Sequence, residues 1–151
     1  MMKRLQIIAD HREFGVGKRP WSFDADRFDT ARGHLLTGDY SPAGYEDRIA
    51  VERKALGDWV RTVTADWLRF RRELYRLAAM DAALIVVEAD TRDVWQRKYE
   101  EDADPASIIG RANAVILDHG VPVLFAGPPE FCVPVVEGFM AQAVKKLGGG
   151  R

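Results

Sequence analysis

Gly38-Asp39-Tyr40-Ser41-Pro42-Ala43-Gly44-Tyr45-Glu46-Asp47-Arg48-Ile49-Ala50-Val51-Glu52-Arg53-Lys54-Ala55-Leu56-Gly57-Asp58 is the stretch from which the fold and the chemistry of this chain are read. Ile49, Val51 and Arg53 alternate with Ala50, Glu52 and Lys54, the period of a strand. Glu52 and Lys54 therefore point to one face and Arg53 to the other. A carboxylate and an ammonium stand about 7 Å apart along that strand at roughly 3.3 Å per residue. Gly38-Asp39 ends a preceding apolar run, His34-Leu35-Leu36-Thr37. Pairing of the two runs as a hairpin, with Ser41-Pro42-Ala43-Gly44-Tyr45 as its turn, brings Asp39 beside Glu52. Two carboxylates converging with a lysine suit divalent-metal and phosphate chemistry.

Outward from this stretch, Leu5 to Ala9 reads as a short buried strand that delivers Asp10, followed by Arg12 and Glu13. Residues 14–32 read as a loop, with Gly15, Gly17 and Pro20 before Trp21, Phe23 and Phe28. Strands are predicted over 34–40, 47–54, 83–87 and 121–125. One long helix is predicted from Leu56 to Met80, because Leu56, Trp59, Val60, Val63, Trp67, Phe70, Leu74 and Leu77 form a single apolar stripe. Asp104-Pro105 opens a helix to about Leu117, and a last helix covers about 130–147. Residues 148–151 read as a flexible tail behind one domain over 1–147. The order predicts an α/β domain: a mixed central sheet flanked by helices.

At 151 residues, 47% hydrophobic and 30% charged, the chain suffices for one domain with a real core. Its net charge of −1 excludes a broad basic coat, so any nucleic-acid contact must be a local cluster, which the arginines of 61–76 supply. The single cysteine, Cys132, excludes an internal disulfide and a cysteine-based zinc site, and suits a reducing cytoplasm. Met1-Met2-Lys3-Arg4 precedes only a short apolar run, so no signal peptide is expected. The apolar stretch 112–136 is interrupted by Asp118, His119, Gly120 and prolines, so no membrane span is expected.

Asp10-x-Arg12-Glu13, Gly38-Asp39-Tyr40 and Glu52-Arg53-Lys54-x-x-x-Asp58 together resemble the nuclease signature of the XPF family of structure-specific DNA endonucleases. Arg69-Phe70-x-x-Glu73-Leu74-x-x-Leu77 resembles the helix after that signature, and Leu84-Ile85-Val86-Val87-Glu88 the next strand. The Arg19-Pro20-Trp21-x-Phe23 and Tyr40-Ser41 neighbourhoods resemble the short bacterial and phage members. The resemblance covers about 5–126 and implies a restriction-endonuclease-like fold and Mg²⁺- or Mn²⁺-dependent hydrolysis of phosphodiester bonds in DNA, in repair or recombination. It implies Asp39 and Glu52 as metal ligands, with Asp10 and Glu13 completing the acidic cluster. Lys54 would orient the attacking water or stabilise transition-state charge. Arg53 and Asp58 would brace the site, Asp58 by holding Lys54 or Arg53. Arg12, Arg69 and Arg72 would contact DNA phosphates.

Three positions depart from the family pattern: Ala55 stands where serine is expected, Gly57 lies at a helix start, and Trp67-Leu68 replaces a glycine-basic turn. Full-length members carry a tandem helix-hairpin-helix module, which nothing after residue 147 is expected to form. A homodimer or a recruiting protein is implied, with the last helix (Phe131, Val135, Phe139, Leu147) offering surface for it. The alternative reading is a non-catalytic DNA-binding or dimerisation partner with a nuclease-like fold. A scaffold whose acids bind metal only for stability is a third.

Overall fold

The computed structural model describes residues 3–148. Six strands form one mixed sheet: β1 (Leu5–Asp10), β2 (Phe28–Gly33), β3 (Tyr40–Pro42), β4 (Ile49–Lys54), β5 (Ala82–Val87) and β6 (Val123–Phe125), in the order β2-β1-β3-β4-β5-β6. β3 runs antiparallel to β1 and β4, whereas β2 is parallel to β1, and β4, β5 and β6 are parallel to one another. β5 lies between β4 and β6 and is apolar throughout, as burial on both faces requires.

Five helices cover the sheet: α1 (Leu56–Val63), α2 (Trp67–Ala78), α3 (Thr91–Trp95), α4 (Pro105–His119) and α5 (Pro129–Gly148). On one face Trp59, Val60, Val63, Phe70, Leu74, Leu77, Ile108 and Val115 pack on Ala50, Ile85 and Val87. On the other, Cys132, Val136 and Met140 of α5 join Trp21, Phe23 and Phe28 over Ile7, Val51, Leu84 and Val86. Phe131 of α5 stays 62% exposed. Cys132 is buried, its thiol pushed up to about 11 chiefly by burial.

The structure corrects three sequence-level expectations. Residues 34–39 are not a strand. The strand on the outer side of β1 is 28–33, all but its last residue inside the expected loop, where only Phe28 is buried and no apolar alternation marks it. The expected hairpin shrinks to Tyr40 opposite Val51, and its expected turn holds part of β3. The single helix 56–80 is two helices. Thr64, with φ −117° and ψ −92°, ends α1, and its hydroxyl donates back to the Val60 carbonyl at 2.6 Å. The break divides the stripe between two helices, both of which pack into the same core. Gly148 is the last residue of α5, and 149–151 lie outside the described residues.

Gly38 has φ +78°. A Cβ there would lie 3.0 Å from the Ala50 Cβ and 3.1 Å from the Val51 carbonyl oxygen. Glycine is required twice over, by backbone conformation and by close approach to β4. Gly38→Ala is therefore expected to destabilise the fold by at least about 1–2 kcal/mol, the cost of a left-handed non-glycine residue, as read from urea unfolding.

Candidate active site

Three strands meet at one point. The Asp39 carbonyl accepts from the Asp10 N–H at 2.8 Å, and the Asp39 N–H donates to the Val51 carbonyl at 2.8 Å. The ladder then continues through a side chain: Asp39 Oδ2 accepts from the Arg53 N–H at 2.8 Å. Asp39 is thereby held beside the end of β4, where Glu52 and Lys54 share a face. Lys54 Nζ lies 3.5 Å from Glu52 Oε2 and 5.4 Å above the centre of the Phe70 ring.

These side chains open into a cleft of about 360 Å³ lined by Asp39, Glu52, Lys54, Asp58, Arg69 and Glu73 among others. Asp39 and Glu52 are only 7% and 8% exposed, so each carboxylate is almost removed from water. Burial raises the Asp39 pKa, and the Glu13 charge adds to it against the Arg53 N–H and Arg12. Burial likewise raises Glu52, with Asp39 and Glu73 adding like charge that Lys54 and Arg12 offset only in part. Like-charged buried carboxylates of this kind favour a bound cation or a proton.

Asp10 is placed otherwise. Its Oδ2 accepts from the Arg12 N–H at 3.0 Å and from Arg12 Nε at 2.6 Å, and its Oδ1 from the Leu35 N–H at 2.8 Å. Burial would raise its pKa, but these bonds outweigh burial and hold it below 3.8. Asp10 thus caps the turn His11–Phe14 and aims Arg12, whose Nη2 reaches the Gly38 carbonyl at 3.1 Å and lies 3.8 Å from Asp39 Oδ1.

Glu13 lies on the side of Arg53. Its Oε1 accepts from the Tyr40 hydroxyl at 2.7 Å and from Arg53 Nη1 at 3.0 Å. Arg53 also grips Glu88 with two bonds, Nε at 2.9 Å and Nη2 at 3.2 Å. Its guanidinium stacks 4.7 Å from the centre of the Trp21 ring, whose Nε1 donates to Glu88 at 3.0 Å. Trp21 therefore braces Arg53 and is buried, not free to stack on a base. Glu88 was not among the sequence-predicted site residues. The parallel register that sets Lys54 opposite Val87, one residue before Glu88, is the signal that locates it.

Asp58 is exposed and does not hold Lys54 or Arg53. It forms an ion pair with Arg61, one helical turn along α1, which also meets Glu101 at 3.0 Å. Arg69 lines the cleft and pairs with Asp66 at 3.0 Å, whereas Arg72 is exposed on α2 outside the cleft lining. Lys18 and Arg61 also line the cleft; Arg61 belongs to the basic cluster of 61–76, whereas Lys18 does not stand out in sequence as a site residue.

Among the described residues, no three His, Cys, Asp or Glu side chains are gathered into a metal-holding group. The donor set still suits a hard divalent cation: Asp39 and Glu52 line the cleft as two carboxylates, with Lys54 beside Glu52 and Arg12 beside Asp39 as their charge partners. No described helix is long and apolar enough to cross a membrane.

Sheet and cleft together define the class, a restriction-endonuclease-like mixed α/β domain. The chain belongs to the ERCC4 domain family, whose model matches residues 9–136. Its fold is similar to part of XPF from Aeropyrum pernix, at a TM-score of 0.76 and 23% identity over 97% of this chain and 64% of that one. The same protein in complex with DNA matches at a TM-score of 0.71 and 23% identity, over 95% of this chain and 66% of that one. The chain thus spans just under two thirds of both structures. No curated protein matches it.

Two outcomes follow from this geometry. Arg53→Ala would leave the carboxylates of the buried Glu13 and the half-buried Glu88 without their cation and is expected to cost about 3–5 kcal/mol of stability, measured by chemical denaturation. For Glu52, a raised pKa means that the folded chain binds more protons than the unfolded one above the ordinary value of 4.5. Stability then falls as pH rises through that range. Glu52→Gln should flatten this fall between about pH 5 and pH 8 by at least about 1 kcal/mol, roughly the worth of one pKa unit, in metal-free urea titrations.

Proposed function

We propose that this chain is a divalent-metal-dependent DNA endonuclease domain that hydrolyses phosphodiester bonds in branched or forked DNA. The observation that carries the reading is the meeting of Asp39, Glu52 and Lys54 in one cleft, at the ends of adjacent strands, in a chain of the ERCC4 domain family. The structural neighbour XPF from Aeropyrum pernix is known in complex with DNA, which supports DNA as the ligand. Repair or recombination is the setting the family suggests.

Asp39 and Glu52 would hold Mg²⁺ or Mn²⁺, whose chemistry is to acidify bound water and polarise the phosphate. Lys54 supplies a fixed positive charge at the place where phosphoryl charge grows, positioned by Glu52 and the Phe70 ring. Arg12, aimed by Asp10, is 61% exposed in its side chain and suits a phosphate contact at the cleft. Lys18, Arg61 and Arg69 line the same cleft and extend that positive rim. Arg53 carries none of the chemistry and keeps the end of β4 in place.

End-labelled fork, flap, duplex and single-stranded DNA, incubated with Mg²⁺, Mn²⁺ or EDTA, provide the test. Cleavage is expected with either metal, on branched substrates first, and none in EDTA. Asp39→Asn and Lys54→Ala, checked for folding by circular dichroism, are each expected to lower the rate by about 10²-fold or more. Intact substrates after incubation with well-folded wild type would instead favour a non-catalytic DNA-binding partner.

A further inference from the structure

α2 is the common wall of two depressions. Arg69, Phe70 and Glu73 line the cleft. Trp67, Arg71 and Tyr75, spaced by four residues, line a second groove of about 450 Å³ on the other flank of the helix. Arg111, Asp118 and His119 of α4 complete it, over the seam where the two helices share one core. The charge of this groove is not balanced. Arg69, on the cleft side, is engaged by Asp66, but Arg71 is exposed and forms no ion pair among the described residues. Arg111 has the Trp67 ring, with its centre 4.2 Å from the guanidinium carbon, in place of a carboxylate. A guanidinium stacked on a ring keeps its N–H edge free to donate. Asp118 lines the groove but pairs with neither arginine. Tyr75 is 62% exposed, and its one ring contact among the described residues is with His119, at 5.7 Å and 77°.

We infer that the groove between α2 and α4 takes an unpaired, single-stranded arm of DNA, with Tyr75 as the platform for a base and Arg71 and Arg111 on the phosphates. The inference rests on the proposed reading of the cleft as a DNA site. A single strand is the occupant that both chemistries of the groove fit. Its phosphates match guanidiniums that lack acids, and its unstacked bases match an open aromatic ring. A duplex keeps its bases stacked, and an acidic peptide brings only charge; either would use the arginines and leave Tyr75 bare. The route from the cleft is short. Arg72 stands exposed and without an ion pair on the outer side of α2. A strand leaving the cleft therefore crosses a single helix, about 10–12 Å wide, to reach the groove.

The test is fluorescence anisotropy in EDTA, which keeps the DNA uncut, with a labelled fork bearing two thymidine arms, oligothymidylate and a blunt duplex. Wild type is compared with Arg71→Gln, Tyr75→Ala and Tyr75→Phe, all at exposed positions whose change is expected to leave the melting temperature near that of wild type. Wild type is expected to bind the fork more tightly than the duplex. Tyr75→Ala should weaken binding of the fork and of oligothymidylate by about tenfold, within the range of one stacked base, and leave the duplex unchanged. Tyr75→Phe should keep wild-type affinity, because the ring and not the hydroxyl does the stacking. Arg71→Gln should weaken the fork and lessen its salt dependence. A fork with 4-thiothymidine in one arm should photocross-link to the segments 67–75 or 111–119. Unchanged fork binding by both Tyr75→Ala and Arg71→Gln, or a cross-link confined to other segments, would overturn the groove and leave the cleft reading standing. Equal weakening on fork and duplex would overturn the single-stranded assignment. Absence of DNA binding by wild type would remove the DNA reading itself.

Discussion

The carboxylate of Asp39 accepts the backbone N–H of Arg53, and the arrangement of the site depends on that bond. It extends the β3–β4 ladder beyond the point where backbone pairing ends. It also joins the end of β1 to the end of β4, because the Asp39 carbonyl takes the Asp10 N–H. Gly38 permits it, since a side chain at that position would strike Ala50 and Val51. With Asp39 locked to β4, the pleat decides the rest. Glu52 and Lys54 turn toward α2, and Arg53 turns toward Trp21.

Chemistry and support are thereby divided between two faces of one strand. On the cleft side Asp39 and Glu52 are buried beside like charge that Lys54 and Arg12 offset only in part. On the other side Arg53 is saturated: Glu88 holds two of its nitrogens, Glu13 and the Arg19 carbonyl share the third, and Trp21 covers its plane. A buried ionic network of this kind contributes little net stability relative to apolar packing. What it supplies here is a defined position for the end of β4, next to a cleft where like charges push outward.

Asp10 and Glu13 show why residue type alone does not assign a role. Both belong to the acid pattern that suggests a metal site. The oxygens of Asp10 are filled by Arg12 and the Leu35 N–H, and Glu13 Oε1 is filled by Tyr40 and Arg53. Their charge still acts on the cleft through space, Glu13 on Asp39 for example. Asp58 is the opposite case. Its spacing from Lys54 suggests a partner at the site, yet the i,i+3 geometry of a helix gives it Arg61 first.

What the sequence by itself determined is local. The two-residue period of 49–54 placed Glu52 and Lys54 on one face and Arg53 on the other, and the apolar run 83–87 marked the buried strand. The apolar stripe of 56–77 identified the covering face, although not the break within it. These follow from backbone geometry, which repeats every few residues and is written in neighbouring side chains. Only the tertiary structure decided that 28–33 forms the edge strand, since an edge buries little and leaves no apolar signature. It also decided which cation meets which acid. Arg53 finds Glu88 at a separation of 35 residues and Glu13 at 40. Strand order and helix aim set those meetings, and neither is encoded in the spacing of the residues that meet.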